Sequence, residues 1–251
     1  MRRIAGVSAL GLCAAMPALA EDVDYDVDGV AHTGYYAAAE GGDPAGMVII
    51  VHDWNGIDDY ERGRADQLAG EGYDAFVVDM YGEDTPTGTM EDNRAASSEL
   101  GQDREKMRTL LQAGLDQAAS ASPAERMVVM GYCFGGGVAL EMARSDFANR
   151  AAGFASFHGS LGTPEGQSYS GEAAPILIMH GGGDTSQTLD DLNGLMQELE
   201  GAGVTYTAEV YAGAPHGFTE PGERYQERAD MESWEAFGDF LEENLDASAD
   251  G

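Results

Sequence analysis

Met127-Val-Val-Met-Gly-Tyr-Cys-Phe-Gly-Gly-Gly137 runs an apolar segment into a glycine-bracketed turn. Met127 to Tyr132 has the continuous apolar character of a strand buried on both faces. Gly135 to Arg144 reads as a helix despite its glycines. A strand, a tight turn and a helix, with glycine two before and two after a nucleophilic side chain, make the G-x-S-x-G elbow, here with Cys133 in place of serine. The turn is so tight that side chains at 131 and 135 would clash. The nucleophile itself sits in a strained conformation with its sulfur above the sheet. It starts a helix, where the dipole and free N–H groups favour a thiolate. The N–H of Phe134 is placed as one half of an oxyanion hole. Glycine is 35 of 251 residues, so flanking glycines alone arise by chance for roughly 0.02 of cysteines. The strand before and the helix after therefore carry the argument. The competing reading is a structural cysteine in a glycine-rich turn.

Outward from this stretch the same alternation repeats. Asp22 to Ala39 is an opening hairpin turning at Asp28-Gly29. Met47 to His52, Asp74 to Met80, Ala151 to Phe157, Pro175 to His180 and Val204 to Tyr211 read as strands. Helical spacing appears in residues 57 to 69, in Met107, Leu110, Leu111, Leu115 and Ala118, in Leu189, Leu192, Met196 and Leu199, and in Trp234, Phe237, Leu241 and Leu245. Apolar strands alternating with helices predict an α/β fold: a mainly parallel sheet with helices on both faces. In such sheets ligands bind at the carboxyl ends of the strands. No second domain is indicated.

The composition narrows the function. The formal net charge is −32, and Lys106 is the one lysine. A basic face for nucleic acid is absent. Self-repulsion of this size destabilises a compact state at low salt and is screened at molar salt, which points to a salt-loving source. Residues 1 to 20 read as an export signal: Arg2 and Arg3, an apolar run from Ile4 to Ala15, then Ala18-Leu19-Ala20 before Glu21. The mature chain, residues 21 to 251, is then a single domain, periplasmic or extracellular. Cleavage removes Cys13 and leaves Cys133 as the lone thiol, so no intramolecular disulfide forms. It also leaves 11 basic against 45 acidic residues, a net charge of −34. No later apolar stretch is long enough to span a membrane.

A thiol nucleophile needs a base and an orienting acid, in the chain order nucleophile, acid, histidine for this architecture. Asp184, in His180-Gly-Gly-Gly-Asp-Thr, and His216, in Ala214-Pro-His-Gly-Phe218, stand in that order just past strand ends. His216 Nε2 would take the thiol proton, and Asp184 would hold Nδ1–H. An Asp in a glycine-rich turn is also ordinary turn chemistry. His32 reads as structural. His52, His158 and His180 end strands and could line the site, but no H-x-H or H-E-x-x-H spacing supports a metal. No cofactor is implied.

These residues resemble the dienelactone hydrolase family of α/β-hydrolases over nearly the whole mature chain. The resemblance rests on Gly131-Tyr-Cys-Phe-Gly-Gly136, on the order and spacing of Asp184 and His216, on Asp79-Met-Tyr-Gly82, and on His52-Asp-Trp-Asn-Gly56, where the family has His-Glu. It implies an α/β-hydrolase fold without a large cap and a triad of Cys133, Asp184 and His216. It implies an oxyanion hole from the N–H groups of Trp54 and Phe134, and an acid, Asp53, beside the resting thiol. Family members grip a substrate carboxylate with arginines, one of them four residues after the histidine. That position is Glu220 here, which points to neutral small esters or lactones rather than dienelactone. Arg94 stands in the region that supplies another arginine. The alternatives are a thiol-based redox sensor or binding protein on the same scaffold, and an acyltransferase. The oligomeric state is not indicated.

Overall fold

The structure is a computed structural model, and it describes residues 19–245. The segment read as an export signal lies outside the described residues except for Leu19 and Ala20, and so does Cys13.

Eight strands form one sheet, in chain order β1 (Ala20–Val27), β2 (Val30–Ala37), β3 (Met47–Val51), β4 (Asp74–Val78), β5 (Met127–Tyr132), β6 (Gly153–Phe157), β7 (Ile176–Gly181) and β8 (Tyr206–Tyr211). Their order across the sheet is β1-β2-β4-β3-β5-β6-β7-β8. The β1–β2 hairpin turns at Asp28 and Gly29, both at positive φ, and joins β4 antiparallel. The other pairings are parallel, with β3 flanked by β4 in register Met47↔Asp74 and by β5 in register Met47↔Met127.

Among the described residues six α-helices cover the sheet: α1 (Asp59–Gly70), α2 (Met90–Gln102), α3 (Arg104–Ala121), α4 (Phe134–Ala143), α5 (Leu189–Ala202) and α6 (Glu227–Leu245). Successive strand residues point to opposite faces. Met47, Ile49 and Val51 of β3, with Val129 of β5, accordingly share one core with Leu111 of α3, Leu140 of α4 and Leu195 of α5. Val48 and Ile50, with Met130 and Tyr132, pack in the other with Leu68 of α1 and Phe237 of α6. Both faces being covered, β3 to β7 are buried end to end. This is why the sequence shows them as unbroken apolar runs. β8, an edge strand, does not keep the alternation expected of it: Thr207 and Val210 are exposed and only Tyr211 is buried.

The elements follow the sequence reading with shifts of a few residues, and one helix is unannounced. α2 buries only Asn93, Ala96 and Leu100, too thin a stripe to stand out by periodicity. Chain direction across the sheet reverses around β3, whose sequence successor β4 lies on one side and whose other neighbour is β5. The crevice at such a switch point is where α/β sheets place ligands. The loops leaving β3 and β5 carry Asp53-Trp54 and Cys133.

None of the six helices of the described residues has a basic residue in its last turn, and α4 alone has a cation at its C-cap, Arg144, so most of the negative dipole ends go unmatched. With the net charge, this makes salt the screening agent. Raising salt from low to molar is expected to lift Tm by about 5 °C or more, the shift that about 2 kcal/mol produces in a domain of this size. A melting point that does not move would rule out the salt-loving reading.

Candidate active site

Cys133 sits between β5 and α4 with φ 47° and ψ −105°, a backbone conformation that costs of order 1–3 kcal/mol for a residue with a side chain. The turn is held on both sides: Cys133 N–H donates to Phe157 O at 3.0 Å, and Cys133 O accepts from Gly137 N–H at 3.2 Å and Ser160 N–H at 3.3 Å. The glycines are sterically required. A Cβ on Gly131 would lie 2.2 Å from the Gly135 carbonyl carbon, and one on Gly135 would lie 2.1 Å from Val51 O.

His216, in the loop after β8, brings Nε2 to 3.0 Å from Cys133 Sγ. Its Nδ1 lies 2.8 Å from Asp184 Oδ2. Asp184 cannot donate when ionised, so Nδ1 carries the hydrogen and Nε2 faces the thiol as acceptor. The other oxygen of Asp184 accepts the N–H groups of Ser186 at 2.7 Å and Gln187 at 3.0 Å. The carboxylate is thereby oriented by three bonds. Cys133, Asp184 and His216 are brought together as one connected chain.

The thiol is not a ready thiolate. Burial pushes Cys133 well above its usual value, and Asp53 and Glu220 push the same way; the bond from Phe134 N–H only partly offsets them. The expected helix-start stabilisation is present but outweighed. Asp53 is 2 % exposed, and Cys133 and Glu220 are among the groups that act on its carboxyl. Its Oδ1 also accepts the Trp54 N–H at 2.5 Å. The Trp54 donor expected in an oxyanion hole therefore meets a carboxylate in this structure.

Several supports were not visible as such in the sequence. Asp58-x-x-Glu61 forms a capping box on α1. Glu61 reaches back to the N–H groups of Asp53 and Asp58, each at 3.1 Å. The D-x-x-E spacing was the available signal. Tyr81 Oη donates to Trp54 O at 3.0 Å, which gives the segment Asp79-Met-Tyr-Gly82 its task. Asp79 ties that segment to the hairpin through Thr33, Tyr81 and Gly82 N–H groups. His32 Nδ1 lies 3.1 Å from Asp79 O.

The strand-end histidines are spread out. His52 accepts the Met80 N–H on Nε2 and bonds Asp53 O through Nδ1. His158 Nε2 meets Thr219 Oγ1 at 2.9 Å, and its ring stands edge-on to His216 with centroids 5.4 Å apart. His180 is buried with neither ring nitrogen bonded. Burial pushes all three downward, which disfavours their charged forms. Among the described residues no cluster of three or more His, Cys, Asp or Glu could hold a metal. No helix of the described residues is long and apolar enough to cross a membrane.

Cys133 and His216 open into a cavity of about 580 Å³, walled by Trp54, Phe134, Met107, Gln187 and two arginines, Arg94 and Arg104. Glu220 does not line it. The expectation that Glu220 would face the substrate is corrected: the loop after His216 turns it toward Asp53 and a separate cleft of about 1070 Å³ along α1. Arg94 comes from α2, the helix that periodicity missed.

The sequence profile of the dienelactone hydrolase family matches residues 33–245. The chain belongs to the dienelactone hydrolase family. A Salmonella typhimurium protein provisionally named a carboxymethylenebutenolidase is 28% identical over 218 residues, 80% of this chain and 78% of that protein. Among solved structures, a dienelactone hydrolase-like promiscuous phosphotriesterase from metagenomic libraries superposes with a TM-score of 0.82 at 26% identity, covering 91% of this chain and 99% of that one. A Klebsiella pneumoniae protein at 21% identity, with a TM-score of 0.72 and covering 88% of this chain and 96% of that one, shares the fold. This dienelactone hydrolase family member is a carboxylic ester hydrolase on an α/β-hydrolase fold, acting on small-molecule esters or lactones.

Proposed function

We propose that this hydrolase works through Cys133, His216 and Asp184 and a thioacyl intermediate. The observation that carries this reading is His216, bonded to Sγ by one ring nitrogen and to Asp184 by the other. Sγ attacks the acyl carbon while Nε2 takes the thiol proton. The imidazolium then gives that proton to the departing alkoxide as the ester C–O bond breaks. A water next gives a proton to Nε2 and its oxygen to the acyl carbon, and the C–S bond breaks with return of the proton to Sγ. The N–H groups of Phe134 and, once Asp53 has moved, Trp54 bond the oxyanion.

The substrate is a small ester or lactone, and a carboxylate on it is accepted. Glu220 lies outside the cavity, whereas Arg94 is in its wall, exposed and without an ion-pair partner among the described residues. Hydrolysis rather than redox sensing is favoured by the thiol itself. A sensor needs a low-pKa cysteine, and burial pushes this one up. Transfer of the acyl group to an acceptor other than water uses the same first half-reaction. Export and periplasmic or extracellular location belong to the same reading, as does a single mature domain over residues 21 to 251.

The test pairs small aryl esters and lactones with and without a carboxylate, in molar salt, with acyl adducts mapped by mass spectrometry. We expect an adduct on Cys133. Arg94→Ala should raise KM for the carboxylate member of a pair by about ten-fold, about 1.4 kcal/mol, relative to its neutral partner. Turnover with no adduct on Cys133 under any quench would refute the covalent route.

A further inference from the structure

Asp53 and Glu220 are two carboxyl groups that line the same cleft along α1, and each acts on the other's protonation as a charge and hydrogen-bond neighbour. A bond between two carboxyls requires a proton on one of them. Asp53 is 2 % exposed, and Glu220 Oε1 is buried without a hydrogen-bond partner. Like charges this close do not both ionise in a site of low polarity.

The surroundings are consistent with one proton rather than none. Arg224 and His216 face Glu220 from the loop after β8. Asp53 is faced by Glu61 from α1 and by the Trp54 N–H from its own loop. Tyr81, from the loop after β4, and Cys133, at the elbow, also lie within its field. Arg224 is the one fixed cation in that set, against three carboxyls, and so offsets a single charge. Burial pushes Glu220 up to about 8, and Asp53 is raised by the same cause.

The pair also has two sides. One faces Cys133. The other lines the cleft along α1, apart from the substrate cavity. A proton can therefore enter or leave from bulk water without crossing bound substrate.

We propose that Asp53 and Glu220 hold one proton between them, and that Glu220 is a positioning residue that sets the charge facing the Cys133 thiol by keeping or releasing it. With the proton in place, Sγ faces one negative charge. When it is lost, Sγ faces two, and the thiolate that attacks substrate is harder to form. The proposal rests on Cys133 being the nucleophile.

The test uses alkylation of Cys133 by iodoacetamide, which needs no substrate. Rates are followed from about pH 6 to about pH 10 for the wild type and Glu220→Gln. Gln keeps a donor for Asp53 but has no proton to lose. The two profiles are expected to coincide at the acid end. Above about pH 8 the wild type should fall behind, reaching about ten-fold slower, one pKa unit of extra repulsion at the sulfur. Coincidence at every pH would overturn the proposal, because the thiol would then sense no proton at Glu220. A constant offset at every pH would also overturn it, because Glu220 would already be ionised at the acid end. If Glu220→Gln does not fold, the wild type decides by infrared spectroscopy: a protonated-carboxyl band that Asp53→Asn removes, and that disappears on raising the pH, is expected; no such band refutes the pair. Ester turnover that survives Cys133→Ala would refute Cys133 as the ester-cleaving nucleophile and leave these alkylation outcomes readable.

Discussion

Cys133→Ala is expected to lower kcat/KM by about 10⁴-fold or more on every ester the wild type hydrolyses, leaving what binding and the oxyanion donors alone supply. The reason is geometric. Sγ lies 3.0 Å from His216 Nε2, and the strained elbow holds it above the sheet. Cys133→Ser should fall between the two, since its hydroxyl keeps a proton for His216 but is a poorer nucleophile at the same base. His216→Ala combined with Cys133→Ala should cost little more than either alone, because residues that act as one unit are not additive. The check is steady-state kinetics with Tm measured on each variant. Cys133→Ala retaining a tenth of the activity would place the nucleophile elsewhere.

Glu141→Ala is expected to destabilise the fold by about 3–5 kcal/mol, the range for removing one partner of a buried ionic cluster. That corresponds to about 10 °C or more in Tm. Glu141 is 1 % exposed on α4. It receives Arg108 Nε at 2.9 Å from α3 and Gln167 Nε2 at 2.9 Å, with Arg144 at 3.3 Å and Arg104 at 3.7 Å. Deleting the carboxylate leaves three guanidinium groups facing one another, with Arg144 almost wholly buried. Since α4 starts at Cys133 and Arg104 walls the cavity at the candidate site, the loss should reach activity as well. Thermal or urea unfolding decides it; a change under about 1 kcal/mol would mean that solvent screens the cluster.

The elbow was legible because its constraint is local. Gly131 and Gly135 are required by contacts between residues a few positions apart and with the adjoining strand. Asp184 and His216 were legible by order, since this architecture places successive loops over the same strand ends. α2 was not, because a helix that lies over the site with three buried residues has little periodicity to show. Glu220 was misread for a different reason. Counting four residues from His216 finds the position but not its direction, and the turn after His216 sends the side chain toward Asp53. Glu61 was within reach of the sequence through its capping box, but what it holds, the Asp53 backbone, depends on α1 docking beside β3.

The sequence by itself determined the alternation of apolar strands and helices, the strained turn at Cys133 and the chain order of the candidate triad. Each depends on steric and hydrophobic rules that act over a few neighbouring residues. Only the tertiary structure decided which carboxyls surround the sulfur and which residues wall the cavity. Asp53, Glu220 and Arg94 are far apart in the chain. Whether a carboxyl there repels a substrate or shares a proton depends on burial and on which groups the fold brings within a few ångströms.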